Sequence, residues 1–174
     1  MSQLQNYFQL FKLPEEYAVD QSVLTDRYRS LQKVLHPDNF ASAADKEKRL
    51  SVQQSAWVND AYRVLRSPVE RAKYLLQLKG VDVDDGNNNI MDPMFLMQQM
   101  ELRESLASVS SADDPVSKLD TLMDSLAKVT RDLEVNLLEA FGSGSLDQAV
   151  QLVHKMQFYL KLQQEADAIE ARLE

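Results

Sequence analysis

Residues 24–40 read LTDRYRSLQKVLHPDNF, which is typical of an amphipathic helix with an abrupt end. Asp20 or Ser22 can cap the start of this helix. It must end near His36, because a proline disfavours helical geometry in the residue before it. The apolar side chains of this helix recur at intervals of three or four residues and predict one buried stripe, made of Leu24, Tyr28, Leu31 and Leu35.

The remaining sequence predicts an all-α fold. Four glycines and five prolines interrupt 174 residues, and β-branched side chains do not alternate with polar ones, so no strand is expected. Further helices are predicted at about residues 6–11, 43–66, 68–79, 92–109, 115–141 and 145–173.

Composition also divides the chain. The segment VDVDDGNNN is acidic and rich in Gly and Asn, which predicts a linker at 80–91 between domains at 1–79 and 92–174. It is not an EF-hand, because placing Gly86 at the sixth position puts valines at the first and third ligand positions. The short segments SSADDP and GSGS favour an antiparallel three-helix bundle in the second domain.

Charge is unevenly distributed between these parts. Residues 1–79 contain 12 Lys/Arg and 9 Asp/Glu, whereas residues 80–174 contain 7 and 18. A net charge of −8 without a continuous basic run argues against general binding to nucleic acids or anionic membranes. Opposite signs in the two parts suggest two separate binding roles.

The absence of cysteine excludes several kinds of site. No disulfide, thiolate zinc site, thiolate-ligated cluster or cysteine nucleophile can form, and no cofactor or metal is predicted. The first residues lack the pattern of a secretory signal, and no apolar run approaches the ~20 residues that span a bilayer. The expected location is the bacterial cytoplasm.

Enzyme motifs are almost absent. The chain lacks GxxxxGK[ST], HExxH and GxSxG, and its two histidines, His36 and His154, are far apart. Gly142-Ser143-Gly144 follows no predicted strand and is better explained as a helix connection with Ser145 as the N-cap. A small hydrolase that uses His36 and Asp38 as acid and base is a remote alternative, since a nucleophile and a pocket motif are missing.

The tripeptide His36-Pro37-Asp38 has two interpretations. It can be a simple helix stop, in which the histidine favours the negative end of the helix dipole, the proline terminates the helix and the aspartate forms a turn. It can also be a recognition motif, and the tripeptide alone does not decide between these interpretations.

The sequence around this tripeptide resembles a J domain, the module with which DnaJ-type co-chaperones stimulate ATP hydrolysis by DnaK-class chaperones. The similarity comprises Tyr28-Arg29, Leu31, the tripeptide and the later segment AWVNDAYRVLRSP. It implies an antiparallel helical hairpin with His36, Pro37 and Asp38 at an exposed tip that engages the chaperone. On a helical projection Arg29 and Lys33 lie opposite the buried stripe, where they could meet an acidic partner, whereas Arg27 projects nearer the apolar side.

A narrower resemblance covers almost the whole chain. The segments YFQLFKLP, SPVERAKYLLQLKG and FLMQQMELRESL are similar to the HscB branch of J proteins, which are co-chaperones of iron–sulfur cluster assembly. Members pair a J domain with a C-terminal three-helix bundle and bring an IscU-type scaffold protein to the chaperone HscA. Eukaryotic relatives can carry an N-terminal cysteine metal site, which this sequence lacks.

A second apolar face on the helix at 92–109 predicts a binding surface. The stripe that points inward on a helical projection is Phe95, Leu102, Leu106 and Val109. Leu96, Met97 and Met100 point elsewhere. Charged residues surround them, as at many protein interfaces: Glu101, Arg103 and Glu104. This face could equally pack against the first domain or against the third helix of the bundle.

The HscB resemblance favours binding of the scaffold. It assigns this role to positions that match Leu96, Met97, Met100, Glu101 and Glu104 and to Phe158 on the last helix. Gln98 and Met100 stand where relatives often carry Glu and Leu. The function expected is a non-enzymatic co-chaperone that stimulates HscA and delivers the scaffold; the alternative is a general DnaJ-type co-chaperone with a different client.

Overall fold

The computed structural model describes residues 5–83 and 92–173, which form two compact units, Met1–Gly80 and Val81–Glu174. The described residues contain helices and no strand, so the all-α prediction is confirmed. The predicted linker at 80–91 falls largely on residues 84–91, outside the described part. The α-helices are α1 (Tyr7–Leu10), α2 (Gln21–Leu35), α3 (Asp45–Arg66), α4 (Pro68–Leu78), α5 (Pro93–Ala107), α6 (Pro115–Gly142) and α7 (Leu146–Leu173).

Helix α2 begins and ends where the sequence predicts. The Asp20 side chain accepts hydrogen bonds from the backbone N–H groups of Ser22 and Val23 and so caps its start. His36 follows its last residue, and a 3₁₀ turn at Pro37–Phe40 leads towards α3. The two helices thus form a hairpin with the tripeptide at its turn.

The predicted stripe of α2 is only partly enclosed. Leu24 is fully buried, whereas Tyr28, Leu31 and Leu35 are half-buried. Tyr28 stacks on Tyr62 of α3 with ring centroids 3.9 Å apart, which joins the helices where aliphatic packing is thin. The core of this unit lies nearer α1 and α4, and its largest fully buried side chains are Phe8, Phe11, Leu24, Val58, Leu65, Leu75 and Leu76.

A buried arginine connects α4 to the rest of the first unit. The Arg71 guanidinium donates to the carbonyl oxygens of Tyr17 and Leu65 at 2.8 and 2.7 Å. Its carbon lies 4.8 Å from the centroid of the Tyr17 ring. These contacts compensate for removing the charge from water, and they explain why an arginine occurs inside the segment RAKYLL.

The second unit is built from α5, α6 and α7. Asp92 and Asp114 cap α5 and α6, and each cap is followed by a proline at the first helical position. The connection between α6 and α7 contains Gly144 at a φ of +72°, and Ser145 N–H donates to Ala140 C=O at 2.9 Å. This pattern terminates a helix, so GSGS is a helix connection, as predicted.

Candidate functional site

The tripeptide lies exposed at the turn between α2 and α3. The side chain of His36 is 60% exposed and that of Asp38 is 89% exposed, which leaves both accessible to another protein. Pro37 opens the 3₁₀ turn, where its missing N–H group costs no hydrogen bond.

The imidazole of His36 is oriented by its own turn. The backbone N–H of Asp38 donates to His36 Nδ1 at 3.3 Å. The Asp38 carboxylate lies 3.5 Å from the same Nδ1. The tripeptide therefore forms a compact, exposed turn.

Backbone carbonyls at the end of α2 are satisfied by residues outside the tripeptide. Asn39 Nδ2 donates to the carbonyls of Lys33 and Val34 at 2.7 and 3.2 Å, and Ser51 Oγ donates to that of Leu35 at 3.1 Å. Such bonds replace partners that a helix loses at its last turn. The sequence does not predict these roles of Asn39 and Ser51. An asparagine just beyond a helix end is a usable signal for Asn39. No local signal exists for Ser51, because it lies 16 positions from its partner.

The basic residues of α2 differ in their contacts. Arg29 and Lys33 are exposed. Arg27, by contrast, donates through Nη1 to the carbonyls of Phe11 and Lys12, which connects α2 to the end of α1. Its role is structural, in agreement with its weaker position on the helical projection.

The other predicted site lies on α5. Phe95 and Leu106 are buried, whereas Leu96, Met97 and Met100 are exposed. Among the described residues of the second unit these three side chains stay 44–72% exposed, so the alternative that this face packs against the third bundle helix, α7, is wrong. The predicted charged residues Glu101, Arg103 and Glu104 are exposed as well.

Phe158 extends this surface from α5 to α7. The half-buried Phe158 ring contacts Phe95 edge to face, with centroids 5.7 Å apart. The guanidinium carbon of Arg103 lies 5.7 Å from the Phe158 centroid, and Lys155 Nζ lies 5.3 Å from that of Phe95. Cations over aromatic rings hold this edge in a defined arrangement. We give the name α5 patch to the exposed residues Leu96, Met97, Met100, Arg103 and Glu104 together with the half-buried Phe158.

The described residues lack two further classes of feature. Within residues 5–83 and 92–173, no three His, Cys, Asp or Glu side chains are grouped so as to hold a metal ion. Among the helices described, none combines the length and hydropathy needed to cross a bilayer.

The family model and the full-length relatives that match this chain all carry the name HscB. Residues 91–167 match the family model described as the HSCB C-terminal oligomerisation domain. The co-chaperone protein HscB homolog of Shewanella loihica is 43% identical over 171 residues, which cover 97% of this chain and 99% of that protein. The homolog of Aliivibrio fischeri is 41% identical over 168 residues, covering 97% and 98%.

Solved structures agree with these relatives. The chaperone HscB from Vibrio cholerae matches with a TM-score of 0.88 at 39% identity, covering 98% of this chain and 100% of that one. Human co-chaperone HscB matches with a TM-score of 0.90 at 28% identity, covering 98% and 84%. Because relatives with this identity match nearly the whole length of both chains, the chain belongs to the HscB family of co-chaperones.

Proposed function

We propose that this co-chaperone stimulates the ATPase of an HscA-type chaperone and delivers an IscU-type scaffold protein to it during iron–sulfur cluster assembly. The observation that carries the proposal is the presence, in one HscB-family chain, of two exposed surfaces on separate units: the tripeptide turn and the α5 patch. One unit engages the chaperone and the other presents the client.

The turn suits recognition of a chaperone surface. Arg29 and Lys33 place two positive charges on the helix that leads to the tripeptide, so an acidic surface would complement them. His36 need not transfer a proton, because the ATP is held by the partner. The role of His36 is to favour the hydrolysis-competent state of the chaperone, through contacts that form only in that state.

The α5 patch suits a protein client. It combines exposed aliphatic and thioether groups with charged neighbours, an arrangement typical of binding surfaces. Methionine side chains adapt to irregular surfaces, which fits a scaffold whose shape varies between apo and loaded forms.

Chaperone engagement is tested with His36→Gln. We expect this variant to lose most of the stimulation of HscA ATPase in a steady-state assay, because the amide cannot reproduce the ring and its turn geometry. The matched control is His154→Gln, which changes the other histidine, on α7. Wild-type stimulation by His36→Gln would refute the role of the tripeptide.

Client binding is tested with the triple variant Leu96→Ala/Met97→Ala/Phe158→Ala. A hot-spot residue at the centre of an interface costs about 2 kcal/mol or more when it is truncated, so we expect at least a tenfold loss of scaffold affinity by calorimetry. Val135→Ala/Leu138→Ala on α6 removes similarly exposed apolar groups and serves as the control. Unchanged affinity of the triple variant would instead favour a general co-chaperone with another client.

A further inference from the structure

The exposed face of α5 is rich in thioether groups. Met94, Met97 and Met100 are 72%, 60% and 72% exposed, whereas Met156 in the core of the same unit is 0% exposed. In a chain without cysteine, such thioethers are the side chains most readily oxidised in a reversible way. The exposure pattern therefore predicts selective oxidation on this helix.

Only part of this group belongs to the α5 patch. On a helix of 3.6 residues per turn, Met100 lies about 40° from Leu96 and about 60° from Met97. Met94 lies about 160° from Leu96, about 120° from Met100 and about 60° from Met97, so it is at the edge of the patch. The chain thus offers two methionines inside the surface and an equally exposed one beside it.

On the basis of the proposed function, we propose that Met97 and Met100 are an oxidation-sensitive modification site through which hydroperoxides lower affinity for the scaffold. The sulfur lone pair attacks one oxygen of hydrogen peroxide, an S–O bond forms and the O–O bond breaks. Sulfur loses two electrons, and the second oxygen leaves as hydroxide, which takes up the proton of the attacked oxygen and is released as water. The product is a methionine sulfoxide.

The sulfoxide changes the chemistry of the patch. A flexible apolar side chain becomes a polar one with a strong hydrogen-bond acceptor. A partner surface that covers the patch must then bury that oxygen, which is costly without a donor. We expect the affinity to fall by about tenfold or more once both residues are modified. Reduction by methionine sulfoxide reductases would restore it.

The test uses the full-length protein and hydrogen peroxide. Peptide mass spectrometry measures sulfoxide at each methionine over time, and calorimetry measures affinity for a purified IscU-type scaffold before treatment, after treatment and after incubation with the reductases. We expect Met94, Met97 and Met100 to be oxidised well before Met156, and the loss of affinity to follow Met97 and Met100. Equal rates at the exposed and buried methionines would overturn the assigned site.

Leucine variants separate the modification from general damage. Met97→Leu/Met100→Leu removes both thioethers from the patch, so the ratio of its scaffold affinity after and before peroxide treatment should stay near one, whatever its untreated affinity is. Met94→Leu should remain sensitive. Oxidation of Met97 and Met100 without loss of affinity would overturn this inference and leave the proposed function intact. Failure of the untreated wild-type chain to bind the scaffold would overturn both.

Discussion

Asn39 and Ser51 show how single side chains position the tripeptide. Neither belongs to it, yet together they supply donors to three carbonyls in the last turn of α2. Backbone N–H of Asn39 also donates to His36 C=O at 2.9 Å. These bonds join the end of α2 to the following turn and to α3. They therefore fix the backbone position of His36.

At this scale we predict an effect of Asn39→Ala. Loss of the amide donors should lower the free energy of unfolding by about 1 kcal/mol in urea titrations, the usual contribution of such bonds. It should also weaken stimulation of the chaperone ATPase while the tripeptide itself is unchanged.

Asn39→Asp sharpens this prediction. A carboxylate cannot donate, and its charge opposes the negative end of the α2 dipole, so the loss should be at least as large as with alanine. Gln53→Ala, another exposed amide in the same unit, should have little effect. Equal behaviour of all three variants would contradict a positioning role for Asn39.

At the scale of elements, a polar cluster joins α1 to α3. Tyr7 OH donates to Asp60 Oδ2 at 2.7 Å, and Arg63 Nη2 donates to Asp60 Oδ1 at 2.7 Å. Burial, and then the bond to Asp60, raises the pKa of Tyr7 to about 12. Hydrogen bonds from Arg63 and then Tyr7 hold the pKa of Asp60 below its ordinary value. The Tyr7 ring also stacks on Tyr74 of α4.

We predict that Tyr7→Phe destabilises the chain in a pH-dependent way. The phenyl ring retains the stacking and loses the bond to Asp60, so unfolding at pH 7 should become easier by about 1 kcal/mol. The Asp60 contribution is present above its unfolded-state pKa and disappears as pH falls through the lower folded-state value. The difference between wild type and variant should therefore shrink in acid.

The alkaline limb provides a second check. The raised pKa of Tyr7 means that its stabilising contribution is complete below its ordinary value of 10.0 and is lost as pH rises through about 12. In denaturant titrations, the free energies of unfolding of wild type and Tyr7→Phe should converge as pH rises through this window. Tyr62→Phe, on a ring stacked with Tyr28 instead, is the control. A difference that stays constant at both extremes would refute the cluster's coupling to pH.

At the scale of the whole molecule, the two units carry opposite charge. Twelve Lys/Arg against nine Asp/Glu precede residue 80, and seven against eighteen follow. Opposite signs allow each unit to attract a different partner electrostatically and to repel the other's. This division is consistent with the two binding roles of the proposed function.

We predict that Arg29→Glu/Lys33→Glu lowers the association rate with the chaperone by about tenfold at low salt. The difference from wild type should diminish as ionic strength rises, because salt screens exposed charges. Stopped-flow binding at several salt concentrations measures both effects. Lys128→Glu/Arg131→Glu on α6 makes the same charge change in the other unit, and an equal effect there would argue against a specific basic face.

The sequence alone determined the helices, because their signals are local. Asp20 and Pro93 are at helix starts, Gly144 is at a helix end, and apolar spacing marks each inner face. The sequence also indicates a second apolar face on α5. It does not indicate whether another part of the chain packs on that face. Only the tertiary structure decided that no described residue of its own unit buries this face and that Phe158 and Arg103 meet there. It alone placed Ser51 at the end of α2, since contacts between distant residues depend on how helices pack, which no local pattern encodes.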